Sequence, residues 1–306
     1  MSRPPCTAAA HAGDPAPCAD LPSALRFQDV GTVVGATPPA RWSARSGSDL
    51  HQLACAQHAA LGLPADEIHI WRAELDVPTG ALIALRGLLC TEERERAARF
   101  RFDRDRDRYV AGRGLLRLLL ACYLDLAPEA LRFYYGEYEK PYLAGEGLQF
   151  NLSHSGALAF LAVSATTEVG IDVELVTEEN DLSREWIAER FFSPAEVAAL
   201  RALPAAQQSR AFLRCWTRKE AFIKARGDGL SLPLDTFDVT LDRGHPPRLL
   251  RTGWSGEEPG QWRFADLSDP DGAFIAAVAS RSTGWRVVSR RLEELVEGGP
   301  TDKENR

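Results

Sequence analysis

The run GIDVELV, from Gly170 to Val176, places two acidic side chains in a segment that is otherwise typical of a buried β-strand. Side chains two residues apart in a strand point to the same face, so we expect the carboxylates of Asp172 and Glu174 to meet. Their mutual repulsion requires a nearby cation. The strand therefore predicts a site for a positive charge.

The segment CWTRKEAFIKARGDG is typical of a helix and offers a third acid. Glu220 and Lys224 are four residues apart and Trp216 is one turn before Glu220, so these side chains share one side of the helix. Such spacing usually marks an exposed ion pair, but the indole indicates a side that packs against protein, where an acid needs a partner. Asp172, Glu174 and Glu220 together would supply the oxygen ligands that Mg²⁺ prefers, and Mn²⁺ is the alternative ion. Lys224 would reach phosphates held by that ion.

Two further segments offer hydrogen-bond donors to an anionic ligand. NLSHSG, from Asn151 to Gly156, is interpreted as a turn in which Ser153, His154 and Ser155 present hydroxyl, imidazole and main-chain N–H donors, although serine-rich turns are also ordinary links between strands. Lys140 precedes a proline in a rigid turn, from which its ammonium would reach the same ligand.

The segment from Glu92 to Arg117 is basic, with nine arginines against six acids. Most of these side chains are interpreted as a solvated face laced with ion pairs. Arg113 lies where the helix becomes apolar, and an arginine that enters a core needs a carboxylate or a phosphate.

The predicted elements come in mixed order. A strand begins at Glu67 in EIHIWRAEL, and helices follow in ALIALRGLL and in a long segment interrupted near FRFDRDR. LQFNLSHSG and LAFLAVSA form a predicted hairpin that leads into GIDVELV. Helices are predicted in SREWIAERFF, in SPAEVAALRAL with Ser193 as N-cap, and in QQSRAFLRCWTRKEAFIKA, and strands in FDVTL, WRFADL and GAFIAAVAS. Hairpins among helices, without a repeated βαβ spacing, favour an α+β fold over a doubly wound sheet.

Composition and charge limit the classes of function. The 306 residues, 45% hydrophobic and 26% charged, are those of an ordinary globular protein, and the net charge of -7 gives no reason to expect nucleic acid or an anionic membrane as a partner. The apolar runs are too short to span a bilayer and the N-terminus lacks a signal-peptide pattern, so we expect a cytoplasmic protein. The six cysteines are scattered, with no zinc-ligand spacing.

Four regions are expected along the chain. Residues 1–65, rich in Ala, Pro, Gly and Ser, are interpreted as a disordered extension, and residues 286–306 as a polar tail. Between them we expect an N-terminal α+β subdomain over 66–165 and a C-terminal one over 166–285, which carries GIDVE and WTRKEAFIK.

In this order, FNLSHSG, GIDVE, FFSPAEVAAL and CWTRKEAFIKARGDGLSLPLDTFDV resemble the surfactin-synthetase-activating class of 4'-phosphopantetheinyl transferases. The resemblance spans roughly Glu67 to Ser280. It implies two pseudo-symmetric α+β subdomains with a coenzyme A site between them. It also implies transfer of the 4'-phosphopantetheine arm of coenzyme A to a serine of an apo acyl carrier or peptidyl carrier protein, with release of 3',5'-ADP. Because both halves lie in one chain, we expect a monomer.

The resemblance also implies residue roles. Asp172, Glu174 and Glu220 resemble the Mg²⁺ ligands, Lys224 a residue that contacts phosphate and assists the leaving group, and Glu220 is the candidate base. The implied contacts to coenzyme A are Lys224, Ser153, His154, Lys140, Arg96, Arg108 and Arg113. Glu93 departs from the family pattern, because some relatives carry a basic residue near this position.

Two other functions fit part of the pattern. Clustered carboxylates with a lysine also suit a Mg²⁺-dependent phosphodiesterase or nuclease. A carrier-binding module without catalysis is the second alternative, and the presence of Asp172, Glu174, Glu220 and Lys224 argues against it. The products distinguish them: hydrolysed nucleic acid in the first case, and 3',5'-ADP released only with a carrier in the case of the transferase.

Overall fold

The computed structural model describes residues 61–143, 145, 147–177, 181–281 and 284–292. Most of the expected N-terminal extension, and residues 293–306 of the expected tail, lie outside these ranges. The described part has α-helices and mainly antiparallel strands in mixed order, which confirms the α+β class.

The helices of the described ranges are α1 (Thr79–Gly87), α2 (Thr91–Ala98), α3 (Asp103–Leu124), α4 (Asp181–Phe191), α5 (Pro194–Ala202) and α6 (Ala205–Arg226). The predicted interruption of the arginine-rich segment is confirmed between α2 and α3. The hydroxyl of Ser193 accepts a hydrogen bond from the main-chain N–H of Glu196, so the predicted N-cap of α5 is also confirmed. Within the described residues, no helix combines the length and apolarity needed to cross a bilayer.

The strands form two sheets and two short ribbons. They are β1 (Glu67–Glu74), β2 (Phe133–Tyr135), β3 (Pro141–Leu143), β4 (Gln149–Ser155), β5 (Leu158–Ser164), β6 (Val169–Leu175), β7 (Phe237–Val239), β8 (Leu249–Thr252), β9 (Arg263–Asp266), β10 (Phe274–Ser280) and β11 (Arg286–Arg291). The first sheet has the order β11-β1-β5-β4 and the second the order β6-β10-β9. β2 pairs with β3, and β7 with β8.

The two sheets pack face to face, and each has a long helix on its outer side. Ile70 and Phe160 from the first sheet meet Ile171 and Val278 from the second in one buried cluster. The opposite face of the first sheet packs against α3, and that of the second against α6. Both faces of β5 and β10 are covered, and both strands are buried along their whole length and apolar except for a terminal serine. Each half is thus a 22-residue helix on a sheet.

Two predictions about local structure are wrong. NLSHSG is not a turn, because Asn151–Ser155 belong to β4 and the turn consists of Gly156 and Ala157. Residues 286–306 are not all a tail, because β11 pairs in parallel with β1 and returns the chain to the first sheet. Arg286 of β11 forms an ion pair with Glu67, and Arg290 lies over the Trp71 ring. The strand is rich in arginine, and the partners of these arginines come from β1, which is distant in sequence. Hydropathy alone therefore does not indicate the strand.

Candidate active site

The site begins where α6 crosses β6. A Cβ atom on Gly170 would lie 2.1 Å from the carbonyl oxygen of Ala221 and 2.3 Å from the main-chain nitrogen of Ala225, so the helix backbone rests directly on the strand. Gly170, Asp172 and Glu174 share one face of β6, as the sequence predicted, because Val169, Ile171 and Val173 fill the opposite face. The glycine therefore brings α6 alongside both carboxylates.

Glu220 and Lys224 directly precede the two alanines that touch Gly170, and they meet the acids of β6. The Lys224 Nζ atom lies 2.5 Å from Asp172 Oδ1 and 3.9 Å from Glu220 Oε2. The predicted convergence of strand and helix is thus present in the fold. We call the group formed by Asp172, Glu174, Glu220 and Lys224 the carboxylate cluster.

Serines of β4 support the carboxylate cluster from the other sheet. Ser153 donates a hydrogen bond to Asp172 Oδ1 at 2.9 Å and accepts one from Lys224 Nζ at 3.3 Å. Ser155 donates to Glu174 Oε2 at 3.0 Å. Ser155 was predicted to donate to an anionic ligand and not to Glu174, although the alternation of polar residues in NLSHS is the signal for a strand face.

The electrostatics of the cluster are unbalanced. Three carboxylates face one ammonium, so the fully ionised cluster has an excess of two negative charges. Burial, reinforced by the Asp172 charge, raises the pKa of Glu174 to about 8. Burial also raises the pKa of Glu220 to about 7, although Lys224 opposes the change. Burial lowers the pKa of Lys224, but Asp172 and Glu220 outweigh it and the net direction is upward.

Two atoms of the cluster are buried acceptors without a donor among the described residues: Asp172 Oδ2 and Glu220 Oε1. Buried carboxylate oxygens are normally hydrogen-bonded or bound to a metal. Within the described ranges, no three Asp, Glu, His or Cys side chains are placed closely enough to hold a metal ion as they stand. In the carboxylate cluster, the Lys224 ammonium lies against Asp172. The oxygen donors, the excess charge and the two unfilled acceptors nevertheless fit a divalent cation.

Known families match both halves of this fold. The model of the 4'-phosphopantetheinyl transferase superfamily matches residues 168–279, and the model of the N-terminal region of 4'-phosphopantetheinyl transferases matches residues 71–166. The 4'-phosphopantetheinyl transferase HetI of Nostoc sp. (strain PCC 7120) is 41% identical over 230 residues, which are 74% of this chain and 92% of that protein. The chain belongs to the 4'-phosphopantetheinyl transferase superfamily.

Other relatives agree with this assignment. The transferase is 38% identical to Sfp of Bacillus subtilis (strain 168), over 49% of this chain and 65% of Sfp. It is 31% identical to the human L-aminoadipate-semialdehyde dehydrogenase-phosphopantetheinyl transferase, over 67% of this chain and 71% of that protein. The chain is therefore an enzyme that transfers 4'-phosphopantetheine from coenzyme A to carrier proteins, as predicted.

The three arginines predicted to bind coenzyme A have protein contacts in the transferase. Arg108 donates to both oxygens of Asp76, at 2.7 and 2.9 Å. Arg113 donates to Glu93 Oε1 at 3.0 and 2.7 Å, and Arg96 lies over the Tyr109 ring. None of these contacts is with the carboxylate cluster. The buried Glu93 also pairs with Arg117, so this acid holds α2 against α3.

Lys140 and His154 are the remaining residues predicted to contact coenzyme A. Lys140 Nζ donates to the main-chain oxygens of Val169 and Ala225, both at 3.2 Å, and so ties the β2–β3 ribbon to the crossing of β6 and α6. Burial lowers the pKa of Lys140 to about 8, with Glu168 opposing. His154 is exposed and, as the neighbour of Ser153 in a strand, points to the opposite face of β4. Ser153 and His154 therefore do not meet one ligand atom together.

Proposed function

We propose that Asp172, Glu174 and Glu220 hold the Mg²⁺ ion, with Mn²⁺ as the alternative, at which this transferase binds the pyrophosphate of coenzyme A. The observation that carries the proposal is the pair of buried carboxylate oxygens that have no donor in the described part of the chain, in a cluster with an excess of two negative charges. When bound, the ion would neutralise the pyrophosphate and stabilise the charge that develops on the leaving group.

Lys224 supplies the positive charge of the proposed site. Its raised pKa keeps it protonated at neutral pH, and its side chain is 29% exposed, so the ammonium is accessible to a phosphate oxygen. In the reaction, the carrier serine oxygen forms a bond to the β-phosphorus while the bond from that phosphorus to the bridging pyrophosphate oxygen breaks. Lys224 donates a hydrogen bond to the departing 3',5'-ADP phosphate.

Glu220 is the proposed base that accepts the proton of the carrier serine, directly or through a water. In the metal-free protein burial raises its pKa to about 7, and a bound cation would favour the ionised form that a base requires. A carboxylate that ligates a metal cannot always serve as a base as well, so another carboxylate is the alternative. Near-normal turnover in Glu220→Gln with metal binding retained would exclude the base role.

The proposed contacts to the phosphates of coenzyme A are Ser153, His154, Lys140, Arg96, Arg108 and Arg113. For Arg108 and Arg113 the phosphate would compete with Asp76 and Glu93 for the guanidinium. The KM for coenzyme A and for 3'-dephospho-coenzyme A tests each position. Removal of a cation that binds the 3'-phosphate raises the first KM and leaves the second unchanged.

The experiment that tests the metal is the intact mass of an apo carrier protein after incubation with the transferase, coenzyme A and Mg²⁺, with an EDTA control. We expect a gain of about 340 Da, one phosphopantetheine arm, that disappears with EDTA and returns with added Mg²⁺ or Mn²⁺. Modification of the carrier that continues in EDTA would contradict the proposed metal requirement. Acyl carrier and peptidyl carrier proteins tested in parallel would identify the class of partner.

We also propose that the transferase acts as a monomer in the cytoplasm. The carboxylate cluster and the serines that support it come from β4, β6 and α6 of one chain, so no second copy is needed to complete the site. Sedimentation velocity at micromolar concentration tests the oligomeric state, and a stable dimer would contradict the proposal.

A further inference from the structure

The junction between β4 and β6 is made by side chains. β4 is the edge of the first sheet and β6 the edge of the second, and the two strands are not paired by main-chain hydrogen bonds in the described sheets. Instead, Asn151 Oδ1 accepts from the main-chain N–H of Ile171 at 2.8 Å, and Ser155 Oγ accepts from that of Leu175 at 3.2 Å. The β4 face that carries Ser153 therefore joins the two halves of the molecule.

Ser155 is the serine of this face whose hydrogen-bond direction is fixed by the main chain. A serine hydroxyl has one proton to donate. Because the N–H of Leu175 donates to Ser155 Oγ, the hydroxyl acts as acceptor on that side and gives its proton to Glu174 Oε2, 3.0 Å away. Ser153 differs, since its oxygen accepts from the Lys224 side chain, which a phosphate would attract.

We propose that Ser155 is a positioning residue of the metal site: it holds one oxygen of Glu174 by a hydrogen bond anchored to the main chain of Leu175. This inference rests on the proposed role of Glu174 as a metal ligand. Glu174 has three rotatable side-chain bonds, and an unrestrained carboxylate would lose rotamer freedom when it binds an ion. Hydrogen bonds to the ligating side chains are a recognised determinant of metal affinity.

The inference is tested by metal affinity, measured without turnover. The probe is Mn²⁺ alone, titrated into the full-length protein and followed by electron paramagnetic resonance of the free ion. We expect Ser155→Ala to bind Mn²⁺ about 10-fold more weakly than the wild type, within the range typical of lost support for a ligand. Ser155→Thr, which keeps the hydroxyl, should restore most of the affinity.

The matched control is Ser280→Ala. Ser280 is a fully buried serine of β10, and its hydroxyl shares a hydrogen bond with Thr167, away from Glu174. Ser280→Ala therefore also removes one strand hydroxyl, but not one that contacts a proposed ligand. Its Mn²⁺ affinity should equal that of the wild type. Equal weakening in Ser155→Ala and Ser280→Ala would mean a general loss of stability and would overturn the inference.

Glu174→Gln separates failure of the inference from failure of the metal site. If Glu174→Gln weakens Mn²⁺ binding and Ser155→Ala does not, Ser155 has no positioning role and the proposed site stands. If the wild type does not bind Mn²⁺, or Glu174→Gln binds it as tightly as the wild type, the proposed ligand set is wrong and the role of Ser155 is wrong with it.

Discussion

Helix α6 carries two lysines, five residues apart, that each form an ion pair with a buried carboxylate. The two pairs differ in whether every polar atom has a partner. Lys219 has no exposed side-chain surface and donates to Glu196 at 2.8 Å and to the main-chain oxygens of Leu234 and Phe237 at 2.7 and 2.6 Å. Glu196 in turn accepts from the N–H groups of Ser193 and Val239. Every donor of the ammonium and both oxygens of the carboxylate are thus engaged.

Lys224 is in the opposite situation. It faces three carboxylates, its side chain is 29% exposed, and two acceptor atoms of the cluster, on Asp172 and Glu220, have no donor among the described residues. A buried ion pair with all its partners is complete without a ligand, whereas excess buried charge is costly until something compensates it. The comparison separates an ion pair whose partners are complete within the fold from one whose carboxylates carry an excess of negative charge.

Removal of the complete pair should have the largest effect. Lys219→Met leaves Glu196 buried without its cation, so we expect the free energy of unfolding in urea to fall by about 3–5 kcal/mol. Arg201→Met is the matched control, since Arg201 forms exposed ion pairs with Glu185 and Glu189, and it should cost at most about 1 kcal/mol. An equal loss of unfolding free energy in the two variants would show that the buried Lys219–Glu196 pair contributes no more than an exposed one.

Removal of one acid from the incomplete cluster should separate activity from stability. Glu174→Gln removes a proposed ligand, and we expect turnover to fall on the order of 10²-fold. Because the raised pKa of Glu174, about 8, means that the metal-free folded state binds the proton more tightly, wild-type stability is lost as pH rises from 4.5 to 8.

Glutamine does not titrate, so its contribution to stability does not fall with pH. The metal-free Glu174→Gln variant should be more stable than the wild type by about 1 kcal/mol or more at pH 8, and this difference should be smaller at pH 5. Urea unfolding in EDTA at the two pH values measures the difference. A variant that is less stable than the wild type at pH 8 would contradict the excess of negative charge.

The contact that creates the site should be sensitive to a single methyl group. Gly170→Ala forces α6 away from β6, and we expect a loss of about 1–3 kcal/mol in the free energy of unfolding, together with reduced turnover because Glu220 and Lys224 move with the helix. Gly87→Ala is the control, since a Cβ on Gly87 would have no neighbour within 4 Å. Full activity in Gly170→Ala would show that the crossing tolerates a wider spacing.

Lys140 should give the smallest effect, and one that depends on pH. Its pKa of about 8 lies below the value of 10.5 for an exposed lysine, so the unfolded state binds more protons between these values and folding becomes more favourable as pH rises. Relative to Lys140→Met, wild-type stability should be constant below pH 8 and rise by at most about 1.4 kcal/mol per pH unit above it. A flat difference from pH 7 to 10 would contradict the burial of the ammonium.

Local patterns predicted several features because they depend on neighbouring residues alone. The shared face of Asp172 and Glu174 follows from strand alternation, and the N-cap at Ser193 from the preference of helix termini for hydroxyls. The pairing of β11 with β1 was not predictable in this way, since an arginine-rich strand at a sheet edge has no apolar alternation. The prediction that NLSHSG is a turn was wrong, because serine is common in turns but here lies in β4, where the serine hydroxyls bond to β6.

By itself, then, the sequence determined the α+β class, the family and the identity of the acids on β6 and α6, because these depend on residue type and short-range spacing. Only the tertiary structure decided which lysine of α6 is enclosed and which faces an excess of negative charge. That difference depends on long-range contacts: Val239 and Leu234 complete the surroundings of Glu196 and Lys219, whereas Gly170 admits α6 to the carboxylates of β6. Such contacts exist only once the chain has folded.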